Sequence, residues 1–185
     1  MRGEKMIRAL KVAVALSCAV PVGLTAANAN PTDDRLSLIE LMNRYGVVHD
    51  FGSPDEYADL FTSDGEIAVA KGGPAVVKGR QALMAQAKRD HEKYVAPIGP
   101  KGENLFFMRH IISNQMVSLE GETAASGSSF VITMVQDVDK GPSILSFGRY
   151  FDKYVKQNGR WLIARREIVL DFGDQELAKK LGFRP

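Results

Sequence analysis

The sequence predicts an α+β domain. It is a cone-shaped half-barrel, in which a curved antiparallel sheet of four long strands plus a short one wraps around three N-terminal helices. Three observations carry this. Ahead of residue 95, apolar residues recur at three-to-four spacing, the period of an amphipathic helix. Between Leu105 and Leu170 the pattern changes to four long extended segments. Turn signals of only a few residues separate them, so each strand runs antiparallel to its predecessor.

Leu38, Leu41, Met42, Tyr45 and Val48 or His49 form one face of the first helix, which Thr32 or Asp33 can cap and which ends near Gly52. Ser53-Pro54-Asp55-Glu56 starts the second, with serine at the cap, proline at the first helical position and glutamate three residues after the cap. Tyr57, Leu60 and Phe61 are its buried face. A short strand around Ile67 and Val69 is halted by Gly72-Gly73-Pro74. Gly79 to Tyr94 reads as the third helix, with Leu83, Met84 and Ala87 on one side, and Ala96 to Glu103 as a Pro/Gly loop. The long strands are Leu105 to Glu120, Glu122 to Val138, Ile144 to Lys156 and Trp161 to Leu170. Their turns fall at Gly121, at Asp139-Lys140-Gly141-Pro142 and at Gln157-Asn158-Gly159. From about residue 171 a short tail remains. A cone of this kind leaves its natural pocket between the concave face of the sheet and the helices.

The first 29 residues read differently. Arg2, Lys5, Arg8 and Lys11 precede an apolar run, Val12 to Ala27, that closes on the small-x-small pattern Ala27-Asn28-Ala29. That is the form of a secretory signal peptide cleaved after Ala29, leaving residues 30–185 as a single periplasmic or secreted domain. The run is short of the roughly 20 apolar residues a spanning helix needs, so no stable membrane span is expected after cleavage. Cys18, the single cysteine, leaves with the leader, so neither a disulfide nor a thiolate metal site is expected.

A chain of 185 residues has room for one ordinary domain. Its 24 basic and 22 acidic residues are close to balance, which argues against a nucleic-acid partner. The three histidines show no metal-ligand spacing, and no phosphate loop, dinucleotide fingerprint or nucleophile elbow is present. Neither metal nor cofactor is expected.

Asn43-Arg44-Tyr45, Asp50 and Ala58-Asp59-Leu60-Phe61-Thr62-Ser63-Asp64-Gly65 resemble the opening of the SnoaL-like domains of the nuclear transport factor 2-like superfamily. Arg109-His110-Ile111-Ile112-Ser113-Asn114, Gly148-Arg149-Tyr150-Phe151-Asp152 and Asn158-Gly159-Arg160-Trp161-Leu162-Ile163 are similar to the same group, in the same order. The resemblance spans roughly residues 33–170. It implies the cone-shaped fold, but the fold hosts dehydratases, isomerases, cyclases and binders alike. The nearest catalytic comparison, scytalone dehydratase, implies a cofactor-free lyase whose aspartate–histidine pair corresponds to Asp50 and His110. Its second pocket histidine falls near Thr133, and its two water-holding tyrosines on His49 and Val69, so the sequence departs from it at all three. In the steroid isomerases of the superfamily, the oxyanion tyrosine matches Tyr45 while the general-base aspartate falls near Val69.

The residues support this chemistry on their own terms. A histidine facing a pocket titrates near neutrality and can take a proton and return it. Asp50 within reach of His110 would fix its tautomer, although aspartate is equally at home terminating a helix. Tyr45 and Tyr150 are candidates to hold an oxygen on which charge develops, or are ordinary core. His49 shares a helix face with Tyr45, and with Val69, Thr133 and Phe147 it is a candidate substrate contact. His91 reads as solvated and Arg165-Arg166 as ion-paired surface. Lys71 and Lys101 lie in glycine-rich segments that can rim the cavity. Aromatic and sulfur side chains on the strands suit an aromatic or polycyclic ligand. Exposed apolar residues on an open sheet face favour a homodimer or homotrimer.

The expected function is a cofactor-independent lyase acting on a hydroxylated aromatic or polycyclic molecule, by dehydration or by retro-aldol loss of a small aldehyde. An isomerase and a non-catalytic exported binding protein are the alternatives.

Overall fold

The computed structural model describes residues 30–93, 98–102, 107–137 and 140–181. The leader and its cleavage point, Tyr94, Leu105, Phe106 and Val138 lie outside these residues.

Helix α1 spans Pro31–Phe51. Its cap is Asn30, whose side chain accepts from the Thr32 N–H at 3.0 Å, rather than Thr32 or Asp33. Proline at the first helical position and two aspartates in the first turn suit that start. The Gly52 N–H closes the helix on the Val48 carbonyl. Helix α2, Pro54–Ala58, has the full reciprocal capping box between Ser53 and Glu56. It stops sooner than the sequence suggests, because the Ile163 N–H takes the Leu60 carbonyl and draws Phe61 into strand β1, Phe61–Ala68. A strand not foreseen, β2 (Ala75–Lys78), pairs with β1 and leads into α3, Arg80–Lys93.

Strands β3 (Met108–Leu119), β4 (Ala124–Asp137), β5 (Gly141–Gln157) and β6 (Arg160–Gly173) form the expected meander. Asn158 and Gly159 both have positive φ, as the tight β5–β6 turn demands. The sheet has six strands in the order β2-β1-β6-β5-β4-β3 and is unclosed. It is not wholly antiparallel, since β1 runs parallel to β6. Register shifts between Ser113 and Met116, Thr133 and Met134, and Phe147 and Gly148 bend the strands over the helices. At Gly148 a Cβ would sit 2.2 Å from the Val169 carbonyl oxygen, so only glycine lets β5 and β6 close there.

The tail is not featureless. Asp174 caps α4, Gln175–Lys180, and Leu177 joins Met108, Val135 and Leu145 in a small second core. The main core lies between the inner face of the sheet and α1–α3, with Leu38, Met42, Leu83 and Ile163 fully buried. Near the start of α1, Asp34 accepts from Trp161 Nε1 at 2.8 Å and Lys156 Nζ at 2.6 Å, tying the helix to the β5–β6 hairpin. Among the described residues no helix is long and apolar enough to cross a membrane.

Candidate active site

Helix α1 and strand β3 meet closely because of Gly46. A Cβ at this position would lie 2.9 Å from the His110 carbonyl oxygen and 3.5 Å from its Cβ. The missing side chain lets the helix press against the strand, and one turn later Asp50 faces His110. The Asp50 carboxylate accepts twice from that residue: Oδ1 from ring Nδ1 at 2.7 Å, and Oδ2 from the backbone N–H at 2.8 Å. Both side chains are nearly buried, at 9% exposure for His110 and 3% for Asp50. A carboxylate on Nδ1 puts the proton on that nitrogen and leaves Nε2 as the basic atom.

Beside the pair lies a cleft of about 440 Å³ at the β3 edge of the sheet. Asp50 and His110 line it with Val47, Phe51, Ile111 and Met134. The Arg109 guanidinium lies 4.3 Å from the centre of the Phe51 ring.

His49 stands behind this pair. Its ring meets His110 edge-on, centroids 4.4 Å apart, and lies near Tyr57 and Tyr45 at 5.4 and 5.7 Å. Nε2 is 3.5 Å from Asp90 Oδ2, and Nδ1 is buried without a hydrogen-bond partner among the described residues. Burial, with the His110 charge adding to it, pushes the His49 pKa below 6.5. His91 is half-buried rather than solvated: its Nε2 meets the His49 carbonyl oxygen at 2.7 Å and ties α3 to the end of α1.

Deeper in the cone the two expected tyrosines are both core. Tyr45 is 1% exposed and its hydroxyl is 3.2 Å from that of Tyr57; Tyr150 is 3% exposed. Burial raises the pKa of all three, so they remain phenols and can donate. Between the rings of Tyr45 and Tyr150, at 3.8 and 4.2 Å, sits the guanidinium of Arg166. This residue is fully buried, not surface, and is gripped by both oxygens of Asp152 at 2.8 and 2.6 Å. Burial works against its charge, yet the Asp152 carboxylate holds it firmly protonated. Nη1 has no partner among the described residues. Arg165, one position away on the opposite face, is the ion-paired member, bonded to Glu66 and Glu167. The alternation that follows Trp161 and Ile163 points to Arg165 as the inward residue, but the bulge at Ala164 shifts the phase and turns Arg166 inward instead.

Three candidate contacts fare differently. Thr133 is buried and pairs directly with His110 across β3–β4. Val69 lies beyond the end of β1, 64% exposed, and is not at this site. Phe147 points to the outer face of the sheet, stacked on Phe172 at 5.4 Å, because its register neighbour Gly148 takes the inward position. Lys71 also belongs to the outer face, with Nζ 4.4 Å from the Phe151 ring centre, in a separate hollow of about 560 Å³. Lys101 is exposed.

A ring nitrogen of His49 and of His110 and a carboxylate oxygen of Asp50 lie within 4.8 Å of one another, which the sequence spacing did not reveal. The donor set fits a metal poorly. Both Asp50 oxygens and His110 Nδ1 are bonded to each other or to backbone, leaving two imidazole nitrogens where a structural or catalytic zinc takes three or four protein ligands.

Solved structures share this architecture. An NTF2-like protein with a cystatin-like fold from Novosphingobium aromaticivorans is 23% identical, with a TM-score of 0.64 over 83% of this chain and 91% of its own. A second protein from that organism, provisionally named a scytalone dehydratase, is 25% identical, with a TM-score of 0.61 over 77% and 87%. A Catenulispora acidiphila protein solved in complex with S-DNPA is 23% identical, with a TM-score of 0.60 over 76% and 95%. A comparison with curated protein sequences found no match. The SnoaL-like domain family matches residues 30–167, from the cap of α1 into β6, and the chain belongs to that family, with its NTF2-like fold.

Proposed function

We propose that the domain is a cofactor-independent lyase for a hydroxylated aromatic or polycyclic small molecule. The observation that carries this is the two-point grip of Asp50 on His110, buried and at the wall of a cleft. With Nδ1–H held by Asp50, His110 Nε2 takes a proton from substrate carbon. The electron pair forms the new double bond and expels hydroxide, which leaves as water after accepting the proton back. In the retro-aldol variant the base takes the hydroxyl proton instead; the carbon–carbon bond breaks to release an aldehyde, its electron pair passes to the carbon left behind, and that carbon takes the proton back from His110. Tyr45, Tyr150 and Arg166 are buried in the core and do not line this cleft, so they take no part in the proposed step. The relatives named a scytalone dehydratase and solved with a small-molecule ligand support the reading.

The test is turnover of a panel of hydroxylated aromatics by wild type, His110→Gln and Asp50→Asn, beside NMR titration of the histidine rings. A loss of kcat of at least about 100-fold in both variants is expected, together with a response of the His110 ring to loss of the Asp50 charge. Binding without turnover in wild type would favour the second reading, a non-catalytic binder, to which the apolar lining of Val47, Phe51, Ile111 and Met134 is equally suited.

Two further expectations belong to the same proposal. The leader is removed and the domain exported, which N-terminal sequencing of the mature protein checks. Phe130, Phe147 and Met116, exposed on the outer sheet face at 51, 44 and 71%, pair with a second copy. Sedimentation of wild type as an oligomer and of Phe130→Glu as a monomer is the expected result.

A further inference from the structure

We propose that Arg109 selects the substrate: its guanidinium binds a carboxylate carried by the aromatic molecule, so the cleft beside His110 takes aromatic acids in preference to neutral aromatics. The inference rests on the small-molecule reading above and names a further group that the substrate must carry.

Arg109 and His110 are consecutive on β3, and consecutive strand residues leave on opposite faces. Both nevertheless line the same cleft of about 440 Å³, because β3 is the edge of the sheet and α1 ends beside it at Phe51. Arg109 folds over that edge. Its guanidinium lies 4.3 Å from the centre of the Phe51 ring, and Nη1 donates to the Met108 carbonyl oxygen at 2.6 Å. These contacts hold a half-buried, long side chain in place, so less rotamer freedom is left to lose when a ligand arrives. The charge sets it apart from its surroundings. Val47, Phe51, Ile111, Met134 and Pro142 make the wall apolar, and Asp50 turns both of its oxygens to His110. Among the described residues that line the cleft, Arg109 is the one permanent cation. The apolar wall takes the ring of a ligand. A carboxylate on that ring is costly to bring in from water unless a cation meets it. A guanidinium meets a carboxylate edge-on, through N–H donors in a fixed fork, and packing against Phe51 engages its face rather than that edge. A neutral aromatic gains none of this. With the carboxylate at Arg109 and the next residue of the strand supplying Nε2, the reacting atom of the substrate is held at a set distance from the base.

The experiment compares 2-naphthoate with its neutral amide, 2-naphthamide, by calorimetric titration of wild type, Arg109→Gln and Arg109→Lys. The amide keeps the ring and the shape and loses the charge. Wild type is expected to bind the acid at least about tenfold more tightly. Arg109→Gln should bring the two probes to within about twofold, while Arg109→Lys, a point charge without the fork, should keep part of the preference. Nitrogen-15 NMR should show the His110 ring of wild type responding to 2-naphthoate, which locates the acid in this cleft. Four results overturn the inference and leave the His110–Asp50 reading to its own turnover test. They are equal binding of both probes by wild type, a preference that survives Arg109→Gln, one lost as completely in Arg109→Lys as in Arg109→Gln, and a His110 ring indifferent to bound 2-naphthoate. Failure of both probes to bind overturns the inference together with the small-molecule cleft.

Discussion

Arg166, held by Asp152, is the most consequential residue that sequence reasoning misplaced. A guanidinium at 0% exposure persists in a core only if its charge is met, and here a bidentate carboxylate and two aromatic faces meet it. The Tyr154 hydroxyl donates to the same carboxylate at 2.6 Å, so the pair is part of a network. Removing one partner strands the other. Asp152→Ala is expected to cost about 3–5 kcal/mol in urea unfolding, whereas Asp152→Leu combined with Arg166→Met, which removes both charges, should cost markedly less. If the double variant is no better than the single, the pair does not owe its importance to charge compensation. None of this was visible in the dipeptide Arg165-Arg166, because two identical neighbours have opposite fates only once β5–β6 register and its bulge are known. His110 and Asp50 were legible for a different reason. Their motif neighbours are local, and the 60-residue gap between them is bridged by a resemblance rather than by any periodicity.

At the scale of elements, the start of α2 and the tight β5–β6 turn were readable because their causes are local: the Ser53–Glu56 capping box and Asn158-Gly159 each act within four residues. The parallel β1–β6 pairing and α4 were not, since each depends on partners far along the chain; β2 pairs with nearby β1 but follows directly on Gly72-Gly73-Pro74, which reads as the end of a strand. The approach of α1 to β3 is the element contact on which the candidate site depends. Gly46→Ala places a methyl 2.9 Å from the His110 carbonyl, tighter than van der Waals contact permits, and the neighbour is backbone that cannot swing aside. The helix must shift by several tenths of an ångström, and the Asp50–His110 bonds lengthen with it. The expected outcome is a loss of the proposed lyase activity of about tenfold or more, from misplacement of positioned groups, with urea unfolding changed by only about 1–3 kcal/mol. Full activity in Gly46→Ala would show that the close approach is not needed. The other end of α1 offers a contrast. Asp34→Ala cuts the links to Trp161 and Lys156 and is expected to lower stability by about 1–3 kcal/mol with the proposed activity untouched.

For the whole molecule, these local arrangements add up to a direction of pH dependence. The His49 pKa is depressed on folding, chiefly by burial and then by His110, so below 6.5 the unfolded chain binds a proton that the native state resists. Stability is therefore fully present above that pH and falls as pH drops through it, at up to about 1.4 kcal/mol per unit for one group. Asp34, held by Lys156 and Trp161, and Glu66, held by Lys78 and Arg165, are carboxylates with pKa values depressed below 3.8 and 4.5. Their contribution is present above those values and is lost at lower pH, so all three groups act with the same sign in separate windows. Urea unfolding of wild type across pH 8 to 3 should show a decline in two stages, the first beginning near 6.5 and the second near 4.5. His49→Phe should abolish the first stage and leave the second, while Asp34→Asn should weaken only the second. A wild type whose stability is level between pH 7.5 and 5.5 would mean that His49 is not held neutral in the fold. The cluster of Tyr45, Tyr57, His110 and Asp90 around it would then have to open enough to admit its charge.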